Sequence, residues 1–434
     1  MADSHLQSTE SSKPLKVVLL CHSDSLGGAA VVTYRLMQAL CREGVDAKMI
    51  VYSKMSEDSE VQIIGPRALR GWRFMRERLR IYLSNGLSYS NLFKVSTADS
   101  GFRIAHNPWI EEADVVVLTW INQGMMSLEG IRELHRSGKP LVWIMHDMWN
   151  FTGICHHSLG CDRYKGECGK CPFLGAKKEN DLSRKIWLKK KRLYDEVPFR
   201  WVAVSNWLAE RARESSLLGE KNVAVIYNAM PVHSFRTQPL AEFNVFNLDY
   251  SRDIILFGAA RLDDPIKGLD KAIEALNYLF DNHPEVANNA MVVFFGGLKD
   301  KEALAELRFP HLWAGPVFDP SLLRQLYASA KIVLSSSSYE TLPGTLIEGQ
   351  AAGCLAVTFG RGGQSDIVEH GVNGFIADSD DPISLANCII DALNMKVDRQ
   401  SLHESVNERF GAAKIAKRFI ALFEEITRKN QSET

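Results

Sequence analysis

Short β-branched runs alternate with amphipathic stretches along most of this chain, and that alternation limits the possible folds more than any other feature. "LKVVLLCH" (15–22) is an apolar run of strand length. Without polar alternation, such a run suits a strand buried on both faces of a parallel sheet. "SDSLGGAA" follows, then the amphipathic "VVTYRLMQALCREG" ending at Gly44, then "DAKMIVY". A strand, a glycine loop, a helix and a second strand form one unit of a doubly wound sheet. "ADVVVLTWI" (113–121), "PLVWIMHD" (140–147), "RWVAVS" (200–205) and "VAVIYNAM" (223–230) continue the series. It restarts at "DIILFGAA" (253–260) and runs through "AMVVFFGG" (290–297), "KIVLSSSS" (331–338), "CLAVTF" (354–359) and "GFIA" (374–377).

A chain of 434 residues exceeds one ordinary core. The expectation is an α/β protein of two doubly wound, Rossmann-like domains, 15–230 and 231–410. A disordered tail (1–14) precedes them, and a C-terminal helix and tail (411–434) is expected to pack back on the first domain. Ligands of such sheets bind at the carboxyl ends of the strands, here in the cleft between domains. The net charge of −1 gives no reason to expect nucleic acid. No apolar run approaches membrane-spanning length, and "MADSHLQSTESSKP" lacks the apolar core of a secretory signal. The expected location is the cytoplasm, with peripheral attachment to the inner face of the membrane as an extension of that reading.

"YETLPGTLIEGQAAG" (339–353) holds Glu340 and Glu348, separated by Pro343-Gly344. That pair reads as a turn, so Glu340 lies in a loop and a helix begins near Thr345 under Glu348. A helix start attracts an anion through its free amides and dipole. The backbone from Leu342 through Pro343 and Gly344 to Thr345 is therefore a candidate to hold a diphosphate, with the carboxylates accepting hydrogen bonds from sugar hydroxyls. Arg261 and Lys267 follow the strand at 253–260, where a pair of cations would neutralise that diphosphate. Gly27 and Gly28 permit close approach of a ligand to the first helix, and "GRGG" (360–363) adds a flexible loop. The bland readings are a capped surface helix, solvated cations and an ordinary tight turn.

Residues 250–395, through "ARLDDPIKG", the glutamate segment and "GGQSDIVEHGVNGFIA", resemble the donor-binding domain of retaining glycosyltransferases of family 4, which have the GT-B fold. "LGGAAVVTYRLMQAL" and "HDMWNFTGICHHSLGCDRYKGECGKCP" extend the resemblance over the first domain, to a bacterial polysaccharide-biosynthesis branch. The resemblance implies a nucleotide diphosphate sugar donor, uridine preferred, and a glycan or lipid-linked glycan acceptor. It also implies Arg261 and Lys267 on the diphosphate, Glu348 on the ribose, and Glu340 and His146 at the transferred sugar as the catalytic pair. No cofactor is required for that chemistry. Three departures stand out: an Arg261-to-Lys267 spacing one residue longer than usual, Thr341-Leu342-Pro343-Gly344 in place of an aromatic-glycine turn, and Thr119 where histidine is expected. The alternatives are an epimerase of the same fold and a non-catalytic sugar-nucleotide-binding protein.

Cys155, Cys161, Cys168 and Cys171 fall within seventeen residues. Cys168 and Cys171 form a CxxC knuckle, and four thiolates can complete a structural zinc site, with His156 and His157 as spare ligands. Disulfides and free thiols are the rivals. Two stretches are strongly basic: 67–83, with six arginines against one glutamate, and 177–194, with eight cations against two acids. Either could rest on an anionic membrane surface or simply be a solvated face.

Overall fold

The structure, a computed structural model, describes residues 13–175, 177–239, 244–378 and 380–433. Residues 1–12 of the expected tail lie outside these. The first sheet comprises β1 (Lys16–Ser23), β2 (Asp46–Ser53), β3 (Val61–Ile63), β4 (Val115–Leu118), β5 (Leu141–Met145), β6 (Arg200–Ala203) and β7 (Val223–Val225). Its order is β3-β2-β1-β4-β5-β6-β7, every neighbouring pair parallel. The second comprises β8 (Asp253–Arg261), β9 (Ala290–Gly297), β10 (His311–Trp313), β11 (Ile332–Ser335), β12 (Leu355–Phe359) and β13 (Gly374–Ala377), again all parallel, in the order β10-β9-β8-β11-β12-β13. Each sheet reverses its winding once, between β1 and β4 and between β8 and β11. A crevice opens at the carboxyl ends of the strands at such a point.

The apolar runs became strands because both faces are covered: Val17 to Cys21, Val115 to Leu118 and Leu355 to Phe359 are all buried. Two strands were not legible, β3 and β10, each three residues long and too short to show a period. The first core is aromatic on one side of its sheet, where Trp143 stacks on Trp201 at 5.4 Å between ring centroids. Beside it the wholly buried Lys190 places its ammonium 3.4 Å from the Trp149 ring centroid and donates to the Thr152 carbonyl at 3.1 Å. Burial lowers this lysine to a pKa of about 7. The contacts tie the helix Leu182–Glu196 to the segment that carries the cysteines.

The chain crosses between domains twice, and the crossings touch. The Met230 N–H donates to the Phe410 carbonyl at 2.9 Å, and the Ala412 N–H returns to the Met230 carbonyl at 2.9 Å. Beyond the second crossing, the helix Ala412–Glu433 lies along the helix Gly28–Arg42 of the first domain. Arg418 donates to the Val225 carbonyl at 2.7 Å and Arg200 pairs with Glu425 at 3.6 Å. Among the described residues no helix is long and apolar enough to cross a membrane.

Candidate active site in the interdomain cleft

Two helices from opposite domains start in one cavity of about 560 Å³. The first, Gly28–Arg42, follows β1 and has Gly27 before it at φ 95, with no side chain capping its amides. That backbone angle favours glycine. The second, Gly344–Ala351, follows Pro343 and is likewise uncapped by a side chain. A Cβ placed on Gly28 or on Gly344 would meet no heavy atom within 4 Å. Internal packing therefore does not explain these two glycines, and the space in front of each helix start is open. Free amides and dipoles from both sides make the cavity a site for an anion.

The cavity wall includes Gly27, Gly28, His146, Lys267, Glu340, Leu342, Pro343, Gly344, Thr345 and Glu348, drawn together from both sheets. Lys267 is ion-paired with Glu340. Glu348 accepts from Tyr327 Oη at 3.1 Å and from Arg35 at 2.9 Å, so one of its partners belongs to the other domain. Arg35 is a residue that reading the sequence missed. It lies seven positions beyond Gly28 on the same helix, and the only clue was a cation on a helix whose start already pointed to an anion.

Arg261 does not join this set. Its side chain is 55% exposed, outside the cavity wall, and pairs with Asp263 at 3.3 Å. A break in the β8–β9 register between Gly258 and Arg261 and the acid two residues along account for the difference. Among the described residues, the Lys and Arg side chains lining the cavity are thus Lys267 and Arg35. "GRGG" also differs from expectation, since it is a brace. The Gly363 N–H donates to the Glu340 carbonyl at 2.9 Å, and a Cβ on Gly363 would lie 1.9 Å from the Thr341 oxygen. Thr119 turns away from the cleft and donates to the Leu20 carbonyl at 2.8 Å.

The first domain lines the cavity with imidazoles. Burial lowers His146 to a pKa of about 4, and its Nε2 has no partner among the described residues. A neutral, unpaired ring nitrogen is free to bond a ligand hydroxyl. His22 is also lowered by burial to about 4; it stacks on Tyr52 at 4.6 Å. His157 is lowered for the same reason and sits 5.3 Å from the Tyr339 ring. Burial pushes Asp147 up, but His156 at 2.7 Å, with the Trp149 N–H among its donors, holds it at about 2. The cleft is held closed by Thr341, donating to the His146 carbonyl at 2.9 Å, and by Ser158 against Tyr339 at 3.2 Å.

Cys155, Cys161, Cys168 and Cys171 line one small separate cavity. Among the described residues no three His, Cys, Asp or Glu side chains are placed to hold a metal ion. Cys168 accepts from the Gly153 N–H at 3.2 Å, His156 is engaged by Asp147 and Ser96, and His157 faces the cleft. Burial pushes the Cys168 thiol up to about 11 and Cys171 to about 12. A larger cavity of about 1100 Å³ lies behind Tyr339, lined among others by Trp207, Tyr227 and Asp366. It contains neither helix start nor either paired glutamate, so the smaller cavity is the candidate for chemistry.

A family model described as Glycosyltransferase Family 4 matches residues 26–233, and one described as Glycosyl transferases group 1 matches 252–395. Spore coat protein SA of Bacillus subtilis (strain 168) is 26% identical over 193 residues, 41% of this chain and 50% of that protein. The putative colanic acid biosynthesis glycosyl transferase WcaC of Escherichia coli (strain K12) is 26% identical over 160 residues, 34% of this chain and 37% of that one. The chain thus spans half or less of the length of these relatives. Among solved structures, Anabaena HepE in complex with UDP and glucose superposes with a TM-score of 0.61 at 16% identity, covering 94% of this chain and 99% of that one. Sucrose-phosphate synthase from Thermosynechococcus elongatus gives 0.64 at 16% identity, covering 96% and 100%. At such identity the structural likeness speaks for the fold, while the two family models between them reach most of the chain. It belongs to the family 4 glycosyltransferases and has their GT-B architecture of two Rossmann-like domains.

Proposed function

We propose that the cleft binds a uridine diphosphate sugar and transfers its sugar, with retention at the anomeric carbon, to a hydroxyl of a glycan or lipid-linked glycan in polysaccharide biosynthesis. The observation that carries this reading is the pair of uncapped helix starts, at Gly28 and Gly344, meeting in one cavity with Lys267 and Arg35. Amides and cations there would take up the charge that develops on the leaving diphosphate. The acceptor hydroxyl would attack on the face from which the phosphate departs, the carbon–phosphate oxygen bond breaking as the new carbon–oxygen bond forms and the proton passing to the departing phosphate. His146 Nε2 and Glu340 would orient sugar hydroxyls, and Glu348 the ribose. Closure across Thr341 and Tyr339 would exclude water and limit hydrolysis of the donor. Preference for uridine is supported by HepE, whose structure holds UDP, and the acceptor class by the colanic acid relative.

The test incubates the protein with a panel of uridine and guanosine diphosphate sugars, recording binding and nucleotide release in the same samples. Release is expected from one uridine donor and reduced by about 10²-fold or more in Glu340→Ala, the scale of losing one preorganised polar contact in a transition state. Absence of both binding and release with every donor tested would refute the proposal.

A further inference from the structure

The helix Arg67–Ser84 packs on the first domain through Glu77, Arg78 and Ile81. Its opposite face is apolar and in water. Trp72, Met75, Leu79 and Leu83 recur every three or four residues, all more than half exposed. The loop beyond adds Tyr89, its ring 4.8 Å from Tyr82, and Phe93, 6.4 Å from Phe74. Single exposed apolar side chains are ordinary, whereas a contiguous set on one face marks an interaction site.

The unpaired charges named around this face are cationic. The helix holds a single acid, Glu77, which is buried against Arg78 at 3.4 Å. Arg67 and Arg76 are exposed, and among the described residues neither has an ion pair. The second basic helix, Leu182–Glu196, is joined to the first through Asp99, which pairs with Arg80 and with Lys189, each at 2.5 Å. It contributes Lys185 and Arg192, exposed and likewise without ion pairs among the described residues.

We propose that this face docks on an anionic phospholipid bilayer, the apolar stripe entering the headgroup boundary and the unpaired cations meeting lipid phosphates. Aliphatic side chains ringed by Trp, Tyr and unpaired cations are the composition of an interfacial helix. The position suits the cleft. Tyr52, stacked on His22 in the cavity wall, donates its hydroxyl to the Arg70 carbonyl at 2.7 Å, so the helix begins one side chain away from the candidate active site. A docked bilayer would lie beside the cleft mouth. The consequence that the acceptor arrives on a lipid rests on the transferase reading; the docking itself does not.

The experiment co-sediments the full chain with vesicles of phosphatidylcholine alone and of phosphatidylcholine with phosphatidylglycerol, at low and high salt, with UDP binding recorded separately. Binding to the anionic vesicles is expected, weakened about tenfold by neutral lipid or high salt. Trp72→Ser/Leu79→Ser/Leu83→Ser, all on the exposed face, should lose about tenfold or more while its melting temperature and UDP binding stay unchanged. Arg67→Gln/Arg76→Gln should retain neutral-lipid binding and show a weaker salt dependence, Lys185 and Arg192 remaining. Equal binding by wild type and triple variant, or no binding to either vesicle, overturns the proposal. So does a dimer in sedimentation velocity that the triple variant dissolves, which would assign the face to a second copy of the chain. Failure of UDP binding would count against the transferase reading alone.

Discussion

The two domains share a strand order and a winding reversal, yet they furnish the cleft in opposite ways. The first lines it with His22, His146 and His157, imidazoles that burial keeps neutral. The second lines it with Glu340 and Glu348, carboxylates each held by a cation. One wall therefore offers uncharged groups that can bond hydroxyls, and the other offers paired charge that a diphosphate can reorganise. A shared sheet thus fixes where a ligand lies, and the side chains at the strand ends fix what each half does to it.

Acid is the largest lever on that contrast. His22 and His146 are lowered from 6.5 to about 4, so the unfolded chain takes up their protons first as pH falls. Their contribution is present above pH 6.5 and lost towards pH 4, up to about 3 kcal/mol for each. Urea unfolding at pH 7 and pH 5 should show the decline, and His146→Gln should flatten it; a slope unchanged by that substitution would break the comparison.

Arg35→Met attacks the other wall. It leaves Glu348 with Tyr327 in a half-enclosed site, and about 2 kcal/mol of stability should go, less than for a fully buried pair because Arg35 is partly exposed. Chemical denaturation measures the loss. If the cross-domain pair helps hold the cleft shut, small-angle scattering should also report a larger radius. Gly28→Val is subtler. Its Cβ meets nothing in the protein, so the melting temperature should hardly move, while UDP affinity should drop about tenfold as the side chain fills the anion's place.

The smallest effect concerns the cysteines. Access decides the order: the exposed Cys41, although burial raises its thiol too, and the half-buried Cys161 should react first with a maleimide at pH 8, ahead of Cys168 and Cys171. Protection of all four loop thiols together by stoichiometric zinc would show their side chains rotating onto a shared ion, an arrangement they do not have here.

Much of the architecture was legible because parallel strands are written as apolar runs, as in Val17 to Leu20 and Leu355 to Val357. The candidate site was legible where the backbone dictated it, at Gly27 and at Pro343-Gly344. It was not legible where two distant side chains choose each other. Arg35 and Glu348 are separated by 313 positions and meet only in the folded cleft. Arg261 shows the converse: the right residue type at the right strand end, engaged by a neighbour two positions away, Asp263. Its proximity in sequence was visible, but its preference for that carboxylate over the cavity was not.

The touching crossings at Met230 and Gly411 have a mechanical consequence. Two covalent passages sewn side by side act as a single pivot, and the closing helix anchors one end of it to the first domain. Such a pivot favours a swing of the second domain about that line over a slide against its partner. A hinge of that kind would bring Glu348 back to Arg35 and Thr341 back to the His146 carbonyl each time the cleft shuts.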